Sequence, residues 1–287
     1  MMALDLLLLM VAIATPAQPY ESADEFTAAV RAATARYHDR AVAVAEGYRL
    51  IGRDFPGMGE HWINIGLIFD GRLEPTRPEF LSYVTVAGVP RLVGVAYAVP
   101  LLPGESPPAW PWADVTWHDH ARTVDEETLL PHADSAHDGH GPSHPSSART
   151  AVDEPRLAMA HAWVWLRNPQ GDFASDNWAL PYFRLGLTTP EGAPVASARA
   201  LSLLTGGADY ISEVARAGGH ASPAREAAFH RSVIRAQRSV VKILDRCQGS
   251  SLAPAQLVRL AQVWCRLWKE LDRALTPSTR TRMRPLR

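Results

Sequence analysis

The spacing of apolar residues changes character along the chain and divides it into three stretches. From Ser22 to about Gly47, Phe26, Val30, Ala33, Tyr37, Ala41 and Val44 recur at intervals of three and four, the stripe of an amphipathic helix. Ser22 and Glu25 stand at capping-box spacing and predict its start. The middle stretch is strand-like. Phe80 to Val86 and Arg91 to Val99, rich in Val and Tyr and joined through Ala87 and Gly88, predict an antiparallel hairpin. Trp62 to Phe69 and Leu180 to Leu187 predict further strands. In Leu157 to Leu166, Leu157, Met159, His161, Trp163 and Trp165 fall on one face. Mostly alanine lines the other, which predicts a helix packed closely on the small-residue side. After Pro223 the helical period returns with Ala227, Ile234, Val241 and Leu244. Gly249 to Ser251 interrupts it, and Leu257, Leu260, Trp264, Leu267, Leu271 and Leu275 resume it, predicting a helical hairpin followed by a frayed end from Thr276.

These patterns predict an α+β fold: an N-terminal amphipathic helix, a central mainly antiparallel β-sheet or irregular barrel, and a C-terminal helical hairpin. The α+β body spans 21–190 and the helical region 191–287. Five prolines between Pro100 and Pro111 predict a loop. Residues 131–155 carry His132, His137, His140 and His144 among Asp, Gly, Ser and Pro, with too little apolar surface to fold alone, and predict a disordered surface insertion in the body. Leu6 to Ala14 is an apolar run too short to span a bilayer and is followed by small residues suited to cleavage. Residues 1–20 are therefore predicted to be a signal peptide and the protein periplasmic or secreted, although no basic residue precedes Arg31. Without cleavage the run becomes a buried N-terminal element of a cytoplasmic protein. No other stretch has the length of a transmembrane segment.

Charge adds an asymmetry. The 29 basic and 30 acidic residues nearly balance, which gives no support to nucleic-acid binding. From Arg216 onward, however, 15 Lys and Arg face four acids, leaving 14 against 26 in the remainder. The basic tail fits an acidic partner surface or docking on the acidic body, with a solvated helical face as the simplest reading. The two cysteines, Cys247 and Cys265, form no CxxC motif. They are expected to be buried small side chains, or one bridge between antiparallel helices.

The densest chemistry lies at Trp117-His118-Asp119-His120. In an extended segment His118 and His120 point the same way, and two imidazoles on one face chelate a transition metal. His61, after a glycine-rich turn, and His161, on the apolar face of its predicted strand, are the further ligands that a mononuclear site needs. Neutral imidazole is the commonest donor to zinc, copper and non-haem iron. Glu127 is a candidate ligand or general base, and Glu60, next to His61, a candidate to orient an imidazole or handle protons. Glu126 stands at capping-box spacing from Thr123 and is expected to face its own backbone. Four of the 11 histidines lie in the insertion and suit loose metal capture. Seven of the nine tryptophans lie between Trp62 and Trp178, many beside these histidines, and suit a pocket that keeps water out. No GxGxxG, P-loop, GxSxG or HExxH spacing is present, which removes support for nucleotide binding, a serine nucleophile elbow and zincin chemistry.

The order His-x-His, carboxylate, distant histidine resembles the metal set of cupins, small β-barrels holding iron, manganese, copper or zinc. The first carboxylate beyond the usual gap, Asp125, stands one residue too far on, and the framing glycines are missing. The phrases PGMGEHW (Pro56 to Trp62), WHDH (Trp117 to His120), DEETLL (Asp125 to Leu130) and HAWVW (His161 to Trp165) are similar to a group of exported bacterial proteins of unassigned function, over roughly residues 25–187. That resemblance implies no activity. The expected function is an exported transition-metal-binding protein with one ion of Zn, Cu, Fe or Mn at a histidine-rich site. If it is an enzyme, it is a metal-dependent hydrolase or oxygenase acting on a small-molecule substrate. The alternatives are a non-catalytic metal carrier or sensor, and a scaffold docking through its basic C-terminal helices.

Overall fold

The structure, a computed structural model, describes residues 20–111, 115–120, 156–217, 222–247 and 249–283; residues 1–19 of the predicted signal peptide, the histidine-rich insertion and the side chains of Asp119 and His120 lie outside that description. The chain is α+β. Helix α1 (Ala23–Thr34) starts at the predicted cap, where Ser22 Oγ accepts from the Glu25 amide, but the Glu25 carboxylate does not close the box: it accepts from the Glu21 amide, one residue before the cap. The predicted stripe does not continue as one helix to Gly47. A 3-10 turn, Ala35–His38, tightens the end of α1, and Asp39 caps a new helix, α2 (Arg40–Ala45), by accepting from the Ala41 amide. A strong N-cap residue in mid-stripe redirects the chain while Tyr37 and Ala43 keep facing the core.

Strand β1 (Arg49–Phe55) was hidden from pattern reading because it is an edge strand with most side chains exposed or half-buried. Strand β2 (Gly59–Ile63) begins at Gly59 with φ +79, where a Cβ would stand 2.4 Å from the Tyr83 carbonyl oxygen. It ends sooner than predicted, since the Asn64 side chain caps a one-turn helix, α3 (Ile65–Ile68). The predicted hairpin is β3 (Phe80–Val86) and β4 (Val89–Leu101). Its two-residue turn has positive φ at both Ala87 and Gly88, matching the twist of the flanking strands. Strands β5 (His118–His120) and β6 (Arg156–Ala162) complete the sheet. Among the described residues six strands pair antiparallel in the order β1-β2-β3-β4-β6-β5. The sheet is open, with β1 and β5 at its edges, which excludes the barrel alternative.

Directly paired residues share a face, so the register divides the sheet's two sides. One side carries Leu81, Tyr83, Val95, Tyr97, Val99, Ala158 and Ala162, in one core with Phe26 and Val30 of α1. The alanines of β6 do lie under a helix, as their size predicts. The other side carries His61, Ser82, Phe80, Ala96, His161, Ala98, Met159 and His118.

Leu180 to Leu187, predicted as a strand, instead opens with helix α4 (Leu180–Arg184). Pro181 suits its first turn, and the Asn177 side chain accepts from the Ala179 amide just before it. There follow α5 (Val195–Ser202), α6 (Gly207–Ala217), α7 (Pro223–Leu244) and α8 (Pro254–Ala274), the last two being the predicted hairpin. Leu257, Leu260, Trp264, Leu267 and Leu271 of α8 are buried in one helical core, which also takes in Phe55 and Met58 from the strand region. Arg184 forks onto Asp54 and ties the two parts together (Nη2 to Oδ1, 2.6 Å). Of the segment predicted to fray, the part up to residue 283 is ordered as α9 (Pro277–Arg282) and a fully buried Met283, and residues 284–287 lie outside the described residues. Cys247 is half-buried and Cys265 exposed, and both are free thiols, so neither expectation for the cysteines holds at Cys265. Among the described residues no helix is long and apolar enough to cross a membrane.

Candidate metal centre

Three histidines separated in sequence meet on the sheet face turned away from α1. His61 sits on β2 directly opposite Ser82, His161 on β6 opposite Ala96, and His118 on β5 opposite Met159. Their exposures are 7%, 1% and 3%. His161 is the middle ring. Its centroid lies 5.4 Å from that of His61, nearly perpendicular, and 5.2 Å from that of His118, stacked at 27°. On a flat sheet β2 and β6 would be about 14 Å apart, three strand spacings of roughly 4.8 Å. The close approach of His61 and His161 therefore requires the sheet to curl around this face. Small residues permit it: Ala96 and Ser82 lie between the two rings in the ladder.

The remaining walls are aromatic and apolar. Trp163 stacks on the other side of His161 (centroids 5.5 Å, 24°), while Phe55 and Phe80 each stand 6.2 Å from the His61 ring with an edge toward it. The loop before α4 closes over this row. Trp163 donates its indole N–H to the Ala174 carbonyl at 2.6 Å, and Ser175 Oγ lies 3.4 Å from Nδ1 of His118. The Asn177 amide donates to the Gly57 carbonyl at 2.7 Å, fastening the same loop beside the turn that leads into β2. A Cβ at Gly94 would touch the Ala162 oxygen and the Trp163 ring at 3.0 Å, so the glycine lets Trp163 lie flat behind His161.

Of the six residues singled out in the sequence, three are brought together. His120 belongs to β5, but its side chain is not among those described, and Glu127 lies outside the described residues altogether. Glu60 is not part of the row. It alternates with His61 onto the opposite side of β2, where its carboxylate accepts from the Trp62 indole at 3.1 Å and pairs with Arg40 at 3.5 Å. Trp165 also turns away, donating to Thr34 Oγ1 at 3.1 Å, because β6 has ended at Ala162. Ser175 escaped sequence reading; a polar loop carries no period, and the signal was indirect, the need of the Trp163 N–H for an acceptor.

Two imidazoles on one tetrahedral ion, bonded at about 2.1 Å, have ring centres about 5 Å apart, so the spacings here fit shared coordination. The near-parallel stack of His118 on His161 aims the rings past a common point. Among the described residues no group of three or more His, Cys, Asp or Glu side chains stands ready to hold an ion. Coordination by this trio thus calls for ring rotation. No protein-family model matches the chain, and neither a curated protein nor a solved structure is significantly similar to it.

Proposed function

We propose that this is an exported transition-metal-binding protein whose mononuclear site is built on His61, His118 and His161, with His120 and Glu127 as further donors. The observation that carries the reading is the row of three buried imidazoles from three different strands, with ring centres 5.2 and 5.4 Å apart. Three on one apolar face concentrate donor atoms where water is scarce. Rotation of His118 and His161 about their outer side-chain bonds, a broad torsion, would converge their nitrogens. Imidazole donors suit Zn, Cu, Fe or Mn, and such an ion supplies activation of water or dioxygen, which gives a hydrolase or an oxygenase. The chain's own contributions are to hold the imidazoles, to exclude bulk water with Trp163, Phe55 and Phe80, and to move a proton through Glu127. Glu60 is withdrawn from that role by its place on the other face. Export rests on the apolar run Leu6 to Ala14 alone.

The test is elemental mass spectrometry of untagged protein beside a His118→Ala, His161→Ala double variant. About one equivalent of a transition metal in the natural chain, lost in the variant, is the expected result. Natural protein that holds no metal and takes up no added Zn, Cu, Fe or Mn sinks the proposal.

A further inference from the structure

In the helical region, α6, α7, α8 and α9 surround a cavity of about 180 Å³. Its floor is apolar: Phe229, 5% exposed, lies there with Ala274 and Leu275. Its rim is cationic, with Arg216 from the last turn of α6 and Arg225 from the first turn of α7. Thr276 and Thr279 add two hydroxyls from the segment that starts α9. Among the described residues neither guanidinium enters an ion pair, whereas Arg235, further along α7, is held by Glu270 at 2.6 Å. One carboxylate also borders the cavity. Glu226 stands 3.8 Å from His230 Nε2 on the next turn.

We propose that this cavity binds a small organic monoanion, a carboxylate carried on an apolar body about the size of one aromatic ring. The size follows from the volume, since a dry apolar cavity of roughly 150 Å³ accepts benzene. The charge follows from the rim. Among the described lining residues, two guanidiniums against the single carboxylate of Glu226 leave one net positive charge, which suits a monoanion, and Glu226 repels a second negative charge. The headgroup follows from geometry, because a guanidinium fork presents paired donors at the spacing of a carboxylate's oxygens. Thr276 and Thr279, whose hydroxyls bond each other at 2.8 Å, add polar lining, and Phe229 supplies a ring face for the body of the ligand. The cavity shares no lining residue with the histidine row and does not depend on a metal.

Isothermal titration of the full chain with benzoate, benzamide and inorganic phosphate tests this directly, with repeats on Arg216→Gln and Arg225→Gln. Both arginines are exposed, so the variants are expected to keep the natural circular dichroism and melting temperature. Benzoate should bind at one equivalent, and benzamide, which keeps the ring and lacks the charge, about tenfold or more weaker. Each variant should lose about tenfold in benzoate affinity. Absence of benzoate binding, equal binding of benzamide, or unchanged affinity in both variants overturns the assignment. Phosphate binding as tightly as benzoate overturns the apolar body and leaves an anion hole only.

Discussion

The two faces of the sheet use polar aromatic side chains in opposite ways. On the face under α1, three tyrosines send their hydroxyls to backbone carbonyls: Tyr48 to Pro78 at 2.6 Å, Tyr83 to Tyr37 at 2.6 Å and Tyr97 to Pro75 at 2.8 Å. Those groups are spent on holding loops and helix against strands, and burial pushes the Tyr83 and Tyr97 phenols well above their ordinary range. On the opposite face the polar rings pack against one another, edge-on at His61 and stacked at His118 and Trp163. His61, His161, His118 and Trp163 form a continuous row whose ring contacts run along the sheet. One face converts polar groups into fixed structure, and the other concentrates donor atoms. That difference separates scaffold from candidate site within a single sheet.

The contrast is sharpest at its centre. Replacing His161 with alanine removes the middle ring and is expected to abolish stoichiometric metal uptake while the far-UV circular dichroism stays unchanged. Retained metal in that variant, read by elemental mass spectrometry, would erase the distinction between the faces. The converse test is Leu81→Ala on the α1 face. Leu81 is fully buried, and its truncation should cost about 2–5 kcal/mol in urea unfolding without altering metal content per folded molecule.

A smaller effect is expected from Tyr83→Phe, which deletes one hydroxyl and leaves the Tyr37 carbonyl without that donor. The loss should be about 1 kcal/mol, again with metal uptake intact. The smallest effect is a pH slope. Glu79 is 1% exposed, and burial raises its carboxyl well above the ordinary 4.5, against the opposing hydrogen bond from the Ala98 amide. A raised folded value means that the neutral form is favoured in the fold. Its contribution to stability is complete below about 4.5 and is lost as pH rises through the folded value. The natural chain should therefore lose stability relative to Glu79→Gln between pH 5 and pH 8, and parallel unfolding curves across that range would contradict the burial argument.

Local patterning determined the elements whose period is long and unbroken. The stripe of α8, the cap at Ser22, the β3–β4 hairpin and the alternation of β6 were all legible, because propensity, turn chemistry and burial agree there. The parity of β2 also spoke against Glu60, since neighbours in a strand point to opposite faces; proximity in sequence suggested a partnership that the pleat forbids. Other features were decided by contacts distant in sequence. Edge strand β1 has too little buried surface to show a pattern, and Leu180 to Leu187 is apolar enough to read as a strand until Pro181 and the Asn177 side chain start a helix. Above all, no spacing rule could bring His61 beside His161. Exactly which histidines meet depends on strand order and on the curl of the sheet over Ala96, Ser82 and Gly94, where small side chains let the face close on itself. The sequence by itself determined which side of its strand each histidine faces, and the tertiary structure chose its neighbours, because strand alternation fixes the side a residue faces while only packing fixes what stands across from it.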